Sequence, residues 1–208
     1  MLVDKTVTDF VEDLASNSPM PGGGGVAALA GALGAALGLM VCSLTEGKEK
    51  FSHLQEAITE IKQKGIILKE ELIRCVDGDG HSYLGIVKAC KLPKTTEQEK
   101  QQRTACIQEA TKEAARFSLH VAQSCLEVME FAVQIVLVGN PSAASESAAC
   151  GVIAYGGVHA AVVTVNINLI SIKDQSFVED MQAAVQAIKD QAERLNHQIL
   201  MEAEKVIC

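Results

Sequence analysis

Charge is missing from two long stretches of this chain. No Asp, Glu, Lys or Arg occurs from Leu14 to Thr45, and between Phe131 and Ile172 Glu146 is the single formally charged residue. Elsewhere apolar positions recur at helical spacing. Val7, Phe10, Val11 and Leu14 form one stripe, predicting a short amphipathic helix from Thr6 to Leu14. From Phe51 to Val76, Leu54, Ile58, Ile61, Leu68 and Leu72 alternate with Glu and Lys, the pattern of an outer-layer helix. Asp77-Gly78-Asp79-Gly80 is expected to interrupt or weaken it before Tyr83, Leu84, Ile86 and Val87 resume the pattern, which Pro93 stops. Thr96-Glu97-Gln98-Glu99 has the form of a capping box, and the helix it opens runs to about Val138, ahead of the stop at Gly139-Asn140-Pro141. Ser142 is then expected to cap a helix through Ala148, Val152, Ala161 and Val165, dented at Gly156-Gly157. A second capping box, Ser176-Phe177-Val178-Glu179, opens a final amphipathic helix with Val185, Ile188, Leu195, Ile199 and Val206.

The first uncharged stretch begins with Pro19-Met20-Pro21-Gly22-Gly23-Gly24-Gly25, which fits the interior of neither helix nor strand. An alanine- and leucine-rich run follows, predicting a helix to about Leu44. Within it Gly31, Ala35 and Gly38 form a small-residue stripe that lets another backbone approach closely. Strand character is confined to Val162–Ile167, whose neighbours argue helix. The chain is therefore expected to be one domain, residues 1–208, with an all-α up-and-down bundle of six to seven helices and the Gly/Ala-rich helices buried at its centre. Either uncharged stretch also reaches the roughly 20 residues needed to span a bilayer. Interruption by Pro and Gly, and the lack of flanking basic clusters or aromatic belts, favour a soluble bundle with no membrane partner.

Composition narrows the function classes. A net charge of −8, few aromatics and no Trp argue against nucleic-acid binding. Seven Cys, at 42, 75, 90, 106, 125, 150 and 208, are scattered singly, as in a cytoplasmic protein with reduced thiols. Asp4, Asp9, Glu12 and Asp13 against Lys5 do not resemble a targeting segment. The five His have no metal spacing, so no metal site and no bound cofactor are expected.

Four groups of residues are candidates for chemistry. The glycine turn at the start of the central helix is either a tight packing device or a place where a ligand's polar part meets exposed backbone N–H groups. Asp77-Gly78-Asp79-Gly80-His81-Ser82 opens like a calcium loop, but Ser82 and Lys88 occupy positions that need Gly and Glu. On a helix Asp77 and Asp79 point to nearly opposite sides, so at most one faces a cleft. That one is either a helix cap or a carboxyl held near apolar walls and suited to proton transfer. Glu146 is a lone acid in the first turn of an apolar helix, where it either complements the helix dipole or marks a site. Thr164, Asn166 and Asn168 near the end of that helix are either satisfied core groups or ligand contacts. Lys48, Lys50, Lys88, Lys91, Lys94 and Arg103 sit at segment junctions, where basic residues are also ordinary helix ends.

Taken in order, these residues resemble the formiminotetrahydrofolate cyclodeaminase / methenyltetrahydrofolate cyclohydrolase family. The matching pieces are Pro19 to Gly24, Leu44-Thr45-Glu46-Gly47-Lys48 with Phe51, Asp77-Gly78-Asp79, Leu92-Pro93-Lys94, Gly139-Asn140 and Asn168-Leu169, spread over nearly the whole chain. Three positions depart from the family pattern: Gly25 stands for Ser, Glu146 for Asp and Thr164 for the first Asn. The resemblance implies an all-helical homodimer whose substrate is a tetrahydrofolate derivative, its 5,10-methenyl bridge being formed with loss of ammonia or opened by water. It implies that Asp79 is the catalytic acid/base and that Gly22, Gly23 and Gly24 line the folate pocket. Asp77, Asn140, Glu146 and Asn168 are expected as further substrate contacts, and Lys48 and Lys94 as partners for glutamate carboxylates. The alternative is a non-catalytic helical folate-binding or assembly protein that keeps the fold without the chemistry.

Overall fold

The structure, a computed structural model, describes residues 1–207. Six α-helices, α1 (Val7–Leu14), α2 (Gly23–Thr45), α3 (Gln55–Cys90), α4 (Glu97–Val138), α5 (Ala144–Leu169) and α6 (Gln175–Ile207), are joined by short connections, two of which carry a 3₁₀ turn, Glu49–Leu54 and Pro141–Ala143; a third such turn, Leu2–Asp4, precedes α1. There is no strand among the described residues. Short links force neighbours to run antiparallel, and glycine contacts fix the register. Gly24 faces Asp79, Gly31 faces Leu72, and Gly65 faces Leu39, so α2 and α3 run in opposite directions. Gly34 against Cys150 and Ala154 sets α5 antiparallel to α2 as well.

The small-residue stripe does the expected work. A Cβ on Gly31 would lie 2.6 Å from the Cys125 sulfur, and one on Gly38 would lie 2.7 Å from Phe131 Cζ. These glycines let α4 lie against α2 where any side chain would hold it off. The late half of α4, with Val121, Cys125, Val128, Met129, Ala132 and Ile135 inaccessible, is the core element that α2, α3, α5 and α6 surround. It shares the centre of the bundle with the Gly/Ala-rich α2 and α5, which pack on it and on each other. Helices α2 and α5 are buried on one side and keep an exposed apolar face on the other, with Leu33, Met40, Val152, Val163 and Ile167 all open to solvent in the single subunit.

Helix boundaries differ from expectation at three places. α3 runs unbroken through Asp77–Gly80. Its glycines cost helix propensity, about 1 kcal/mol each, but Gly78 admits the Phe117 ring and Gly80 the Met20 sulfur, so packing offsets the loss. At the α4–α5 corner the capping side chain is Asn140, which accepts from the Ser142 amide at 3.0 Å; Ser142 itself caps nothing. At the start of α6 the cap is Asp174, accepting from the Phe177 amide at 3.2 Å and paired with Lys112 at 2.7 Å, rather than Ser176. The Thr96–Glu99 capping box is present as expected.

By length and composition, Gly23–Thr45, Glu97–Val138 and Pro141–Leu169 are each apolar enough to cross a membrane. Between 44% and 56% of their most apolar windows lies buried inside the fold, because these three segments pack on one another.

Glycine positions separate packing from propensity. Gly38→Ala, forced against Phe131 and Ile135, is expected to destabilise the fold by about 1–3 kcal/mol. Gly85→Ala, near the C-terminal end of α3 with no neighbouring element within 4 Å of the new Cβ, is expected to stabilise it by about 0.5–1 kcal/mol. Chemical denaturation of the two variants should move the midpoint in opposite directions.

Candidate active site

Four glycines open α2, and their lack of side chains leaves its first turn accessible. Gly22 is the residue before the helix and provides no capping side chain. The first-turn N–H groups therefore look for partners elsewhere, and Asp79 of α3 places its carboxylate against that turn, where the Gly25 N–H favours the charged form. The approach is close. A Cβ on Gly24 would lie 2.6 Å from Asp79 Cγ, and one on Gly22 3.5 Å from Asp79 Oδ2. Asp79 thus sets a negative charge, supplied by a different helix, at the N-terminus of α2, the favourable sign relative to its dipole.

Burial pushes the Asp79 carboxyl above the ordinary carboxylate range, and the Gly25 N–H opposes this without cancelling it. The side chain lines a cavity of about 200 Å³ enclosed by the arm before α2, the first turn of α2, α3, α4 and the end of α5. Pro19, Met20, Gly22, Gly23 and Gly24 form one side, Ser82, Tyr83 and Ile86 another, and Ser118, Thr164, Ile167 and Asn168 the rest. A half-buried carboxyl, unpaired backbone donors and a mixed wall at one point are the ingredients of an acid/base site.

The cavity gathers Gly22, Gly23, Gly24, Asp79 and Asn168 from the residues singled out in the sequence. Asp77 projects away from it, and its Oδ1 accepts from the Leu2 amide at 2.6 Å. This is the opposite-sides geometry expected of two acids two residues apart on a helix. Asn140 lies at the far end of α2, which spans about 33 Å at 1.5 Å per residue. Its amide N–H donates to Thr45 Oγ1 at 2.9 Å, its Nδ2 to the Leu44 carbonyl at 3.3 Å, and its side-chain oxygen serves Ser142. Glu146 is on the next turn, accepting from Ser145 Oγ at 2.8 Å. Lys48 and Lys94 are exposed in the α2–α3 and α3–α4 connections and do not line the cavity. Within one subunit, then, Asp77, Lys48, Lys94, Asn140 and Glu146 stand apart from the Asp79 site.

Tyr83, Ile86, Ala114 and Ser118 line the cavity without having been candidates for chemistry in the sequence. Ser118 sits in an amphipathic α4 pattern where a small polar residue is unremarkable, and only the α3–α4 register brings it beside Asp79. A larger groove, about 740 Å³, runs between α3, α4 and α6 past Glu71, His120, Glu127 and Glu130. Burial, Glu71 and Glu130 push the Glu127 carboxyl up there. That groove has no helix N-terminus opening into it, so the smaller cavity is the better candidate for chemistry on a polar substrate.

The family model described as Formiminotransferase-cyclodeaminase matches residues 6–187. The chain is 34% identical over 199 residues to a methenyltetrahydrofolate cyclohydrolase of Methylorubrum extorquens, covering 96% of each protein. It is 30% identical over 191 residues to the formimidoyltransferase-cyclodeaminase of Rattus norvegicus, covering 92% of this chain but 35% of the longer rat protein. The solved formiminotetrahydrofolate cyclodeaminase of Thermotoga maritima has the same fold, with a TM-score of 0.88 over the full length of both chains at 22% identity.

The raised carboxyl gives a stability prediction. Ionised Asp79 disfavours the folded state at pH values above its folded pKa, and the penalty disappears below the unfolded value of about 4, where both states are protonated. Asp79→Asn keeps an oxygen for the Gly25 amide and removes the charge. It is expected to be at least as stable as the wild type at pH 7–8, with any advantage fading on acidification, as read by thermal melts across pH.

Proposed function

The chain belongs to the formiminotransferase-cyclodeaminase family, and on that premise we propose that it is a folate one-carbon enzyme that forms or opens the 5,10-methenyl bridge of tetrahydrofolate. The observation that carries this reading is the Asp79 carboxyl held over the glycine start of α2, at the wall of the cavity. In the deaminase direction N10 of 5-formimino-tetrahydrofolate, its formimino group protonated to the amidinium, attacks the formimino carbon. Asp79 takes the N10 proton and returns it to the nitrogen that departs as ammonia, leaving the methenyl cation. In the hydrolase direction Asp79 takes a proton from the water that adds to the methenyl carbon and passes it to N5 as the C–N5 bond breaks; the remaining hydroxyl proton is lost to solvent as the carbonyl of 10-formyl-tetrahydrofolate forms. A carboxyl with a raised pKa suits both steps, since it exchanges protons closer to neutrality than an exposed Asp. The free N–H groups of the first α2 turn provide donors for a substrate carbonyl or a developing oxyanion.

Further support comes from the exposed apolar face of α2 and α5. Thr164, Ile167 and Asn168 belong both to the cavity and to the α5 side of this face, so the site opens where Leu33, Met40, Val152 and Val163 lie bare. A second copy of the chain is the occupant we assign to the face. A two-fold axis crossing α2 would pair the face with itself and carry the partner's far-end corner toward the cavity, which brings Asn140 and Glu146 back as contacts in trans. The buried free thiols of Cys42, Cys125 and Cys150, pushed up to about 11, 12 and 12 by desolvation, are unreactive and suit a cytoplasmic setting.

Both reactions can be followed through the near-ultraviolet absorption of methenyltetrahydrofolate. Turnover of at least one substrate is expected; no change with either leaves only the non-catalytic reading. Asp79→Asn should lower kcat by about 10²–10⁴-fold. Gly24→Ala, which displaces the carboxylate, should share much of that loss. Where Asp79 acts as base, activity should fall with decreasing pH at a value above the ordinary carboxylate range; an acid limb at or below about 4 would remove the assignment. For the assembly, Val163→Asp is expected to convert a dimer into a monomer in sedimentation experiments and to reduce turnover with it.

A further inference from the structure

The cavity has two chemically distinct sides. On one, the first turn of α2 offers backbone N–H donors from Gly23 and Gly24 that no side chain of α2 can cap. On the other, the hydroxyls have already spent their hydrogens. Ser118 Oγ, on a residue only 2% exposed, lies 3.0 Å from the Ala114 carbonyl, and Thr164 Oγ1 lies 3.1 Å from the Ala160 carbonyl. A carbonyl oxygen cannot donate, so in each bond the hydroxyl is the donor and turns only lone pairs outward. Ser82 Oγ is engaged the same way with the Gly78 carbonyl at 3.3 Å, and Asn168 uses an amide hydrogen on the Thr164 carbonyl at 2.9 Å. Back-bonding to the preceding turn is a common habit of helical Ser and Thr. Here it occurs at three hydroxyls around one cavity that also contains a carboxylate. Thr164 is also near the donor side, its Oγ1 being 3.7 Å from the place a Gly23 Cβ would take.

We propose that Ser118 and Thr164 are specificity-determining residues that, with Asp79, form an acceptor wall selecting a one-carbon unit bearing N–H groups. This deepens the one-carbon reading above and rests on it. The amidinium end of a formimino group, –CH=NH₂⁺, directs two N–H bonds outward, one for Asp79 and one for a Ser118 or Thr164 lone pair. Ammonia, as it leaves, keeps the same contacts. A formyl group of nearly the same shape, –CH=O, turns an acceptor toward acceptors and is rejected. Sites that hydrogen-bond a substrate N–H discriminate strongly against analogues lacking it, because their polar groups are left unpaired. At the family position usually held by Asn, Thr164 supplies an acceptor without an accompanying N–H donor.

The test compares 5-formimino-tetrahydrofolate as substrate with 5-formyl-tetrahydrofolate as competitive inhibitor. The variants are Ser118→Ala, the near-isosteric Thr164→Val, and Thr164→Ser, which keeps the acceptor. Wild-type enzyme should bind the formyl compound at least about tenfold more weakly than the formimino compound. Ser118→Ala and Thr164→Val should each lower deaminase kcat/KM about tenfold and narrow the preference over the formyl compound, while Thr164→Ser restores both. Circular dichroism of Thr164→Val checks that the fold is unchanged. If the enzyme is active and both variants keep the preference within about twofold of wild type, this proposal is overturned and the one-carbon reading stands. If wild-type protein acts on neither 5-formimino- nor 5,10-methenyl-tetrahydrofolate, the one-carbon reading is overturned and this proposal with it.

Discussion

One close approach between two helices organises the working end of this molecule. The start of α2 carries no capping side chain, and the Asp79 carboxylate reaches across from α3 to lie against its first turn. A carboxylate ordinarily caps the helix that contains it. Supplied from a neighbour, it also ties the two helices together and is held where burial raises its pKa. Glycine is required on the α2 side because any Cβ at position 24 would occupy the space of the carboxyl group. Sequence composition, helix packing and acid/base chemistry therefore converge on the same few atoms.

The helical plan was legible because periodicity and caps are local signals. The α4 capping box, the end of α2 and the Gly31–Gly38 stripe were all written in adjacent residues. Errors arose where tertiary contacts override local preference. Two glycines in four residues argue against a helix at Asp77–Gly80, yet Phe117 and Met20 fill the space they leave, and the helix continues. Asn140 displaced Ser142 as a cap because its side chain also closes the end of α2. The open apolar face of α2 and α5 was not legible for a related reason. An uncharged helix shows that something covers it, but not whether the cover comes from the same subunit.

The candidate site was partly readable. Asp79 and the glycine turn stand 55 residues apart in sequence, measured from Gly24, and could be paired through the family pattern. Ser118 had no such signal; it emerges only from the register of α4 against α3. Asp77 is the converse case. The family resemblance implied a substrate contact for it, whereas the helix turns it toward Leu2 and leaves its other oxygen, Oδ2, buried without a partner.

Helix α2 is fastened at both ends, by Asp79 at its first turn and by Asn140 at Thr45 and Leu44. Between these anchors each glycine seat matches one particular neighbour. Adding or deleting one residue there would swing everything beyond it by about 100°, unseating the glycines and parting the two anchors together. Length variation among kindred chains should consequently collect in the links between helices and spare this strut.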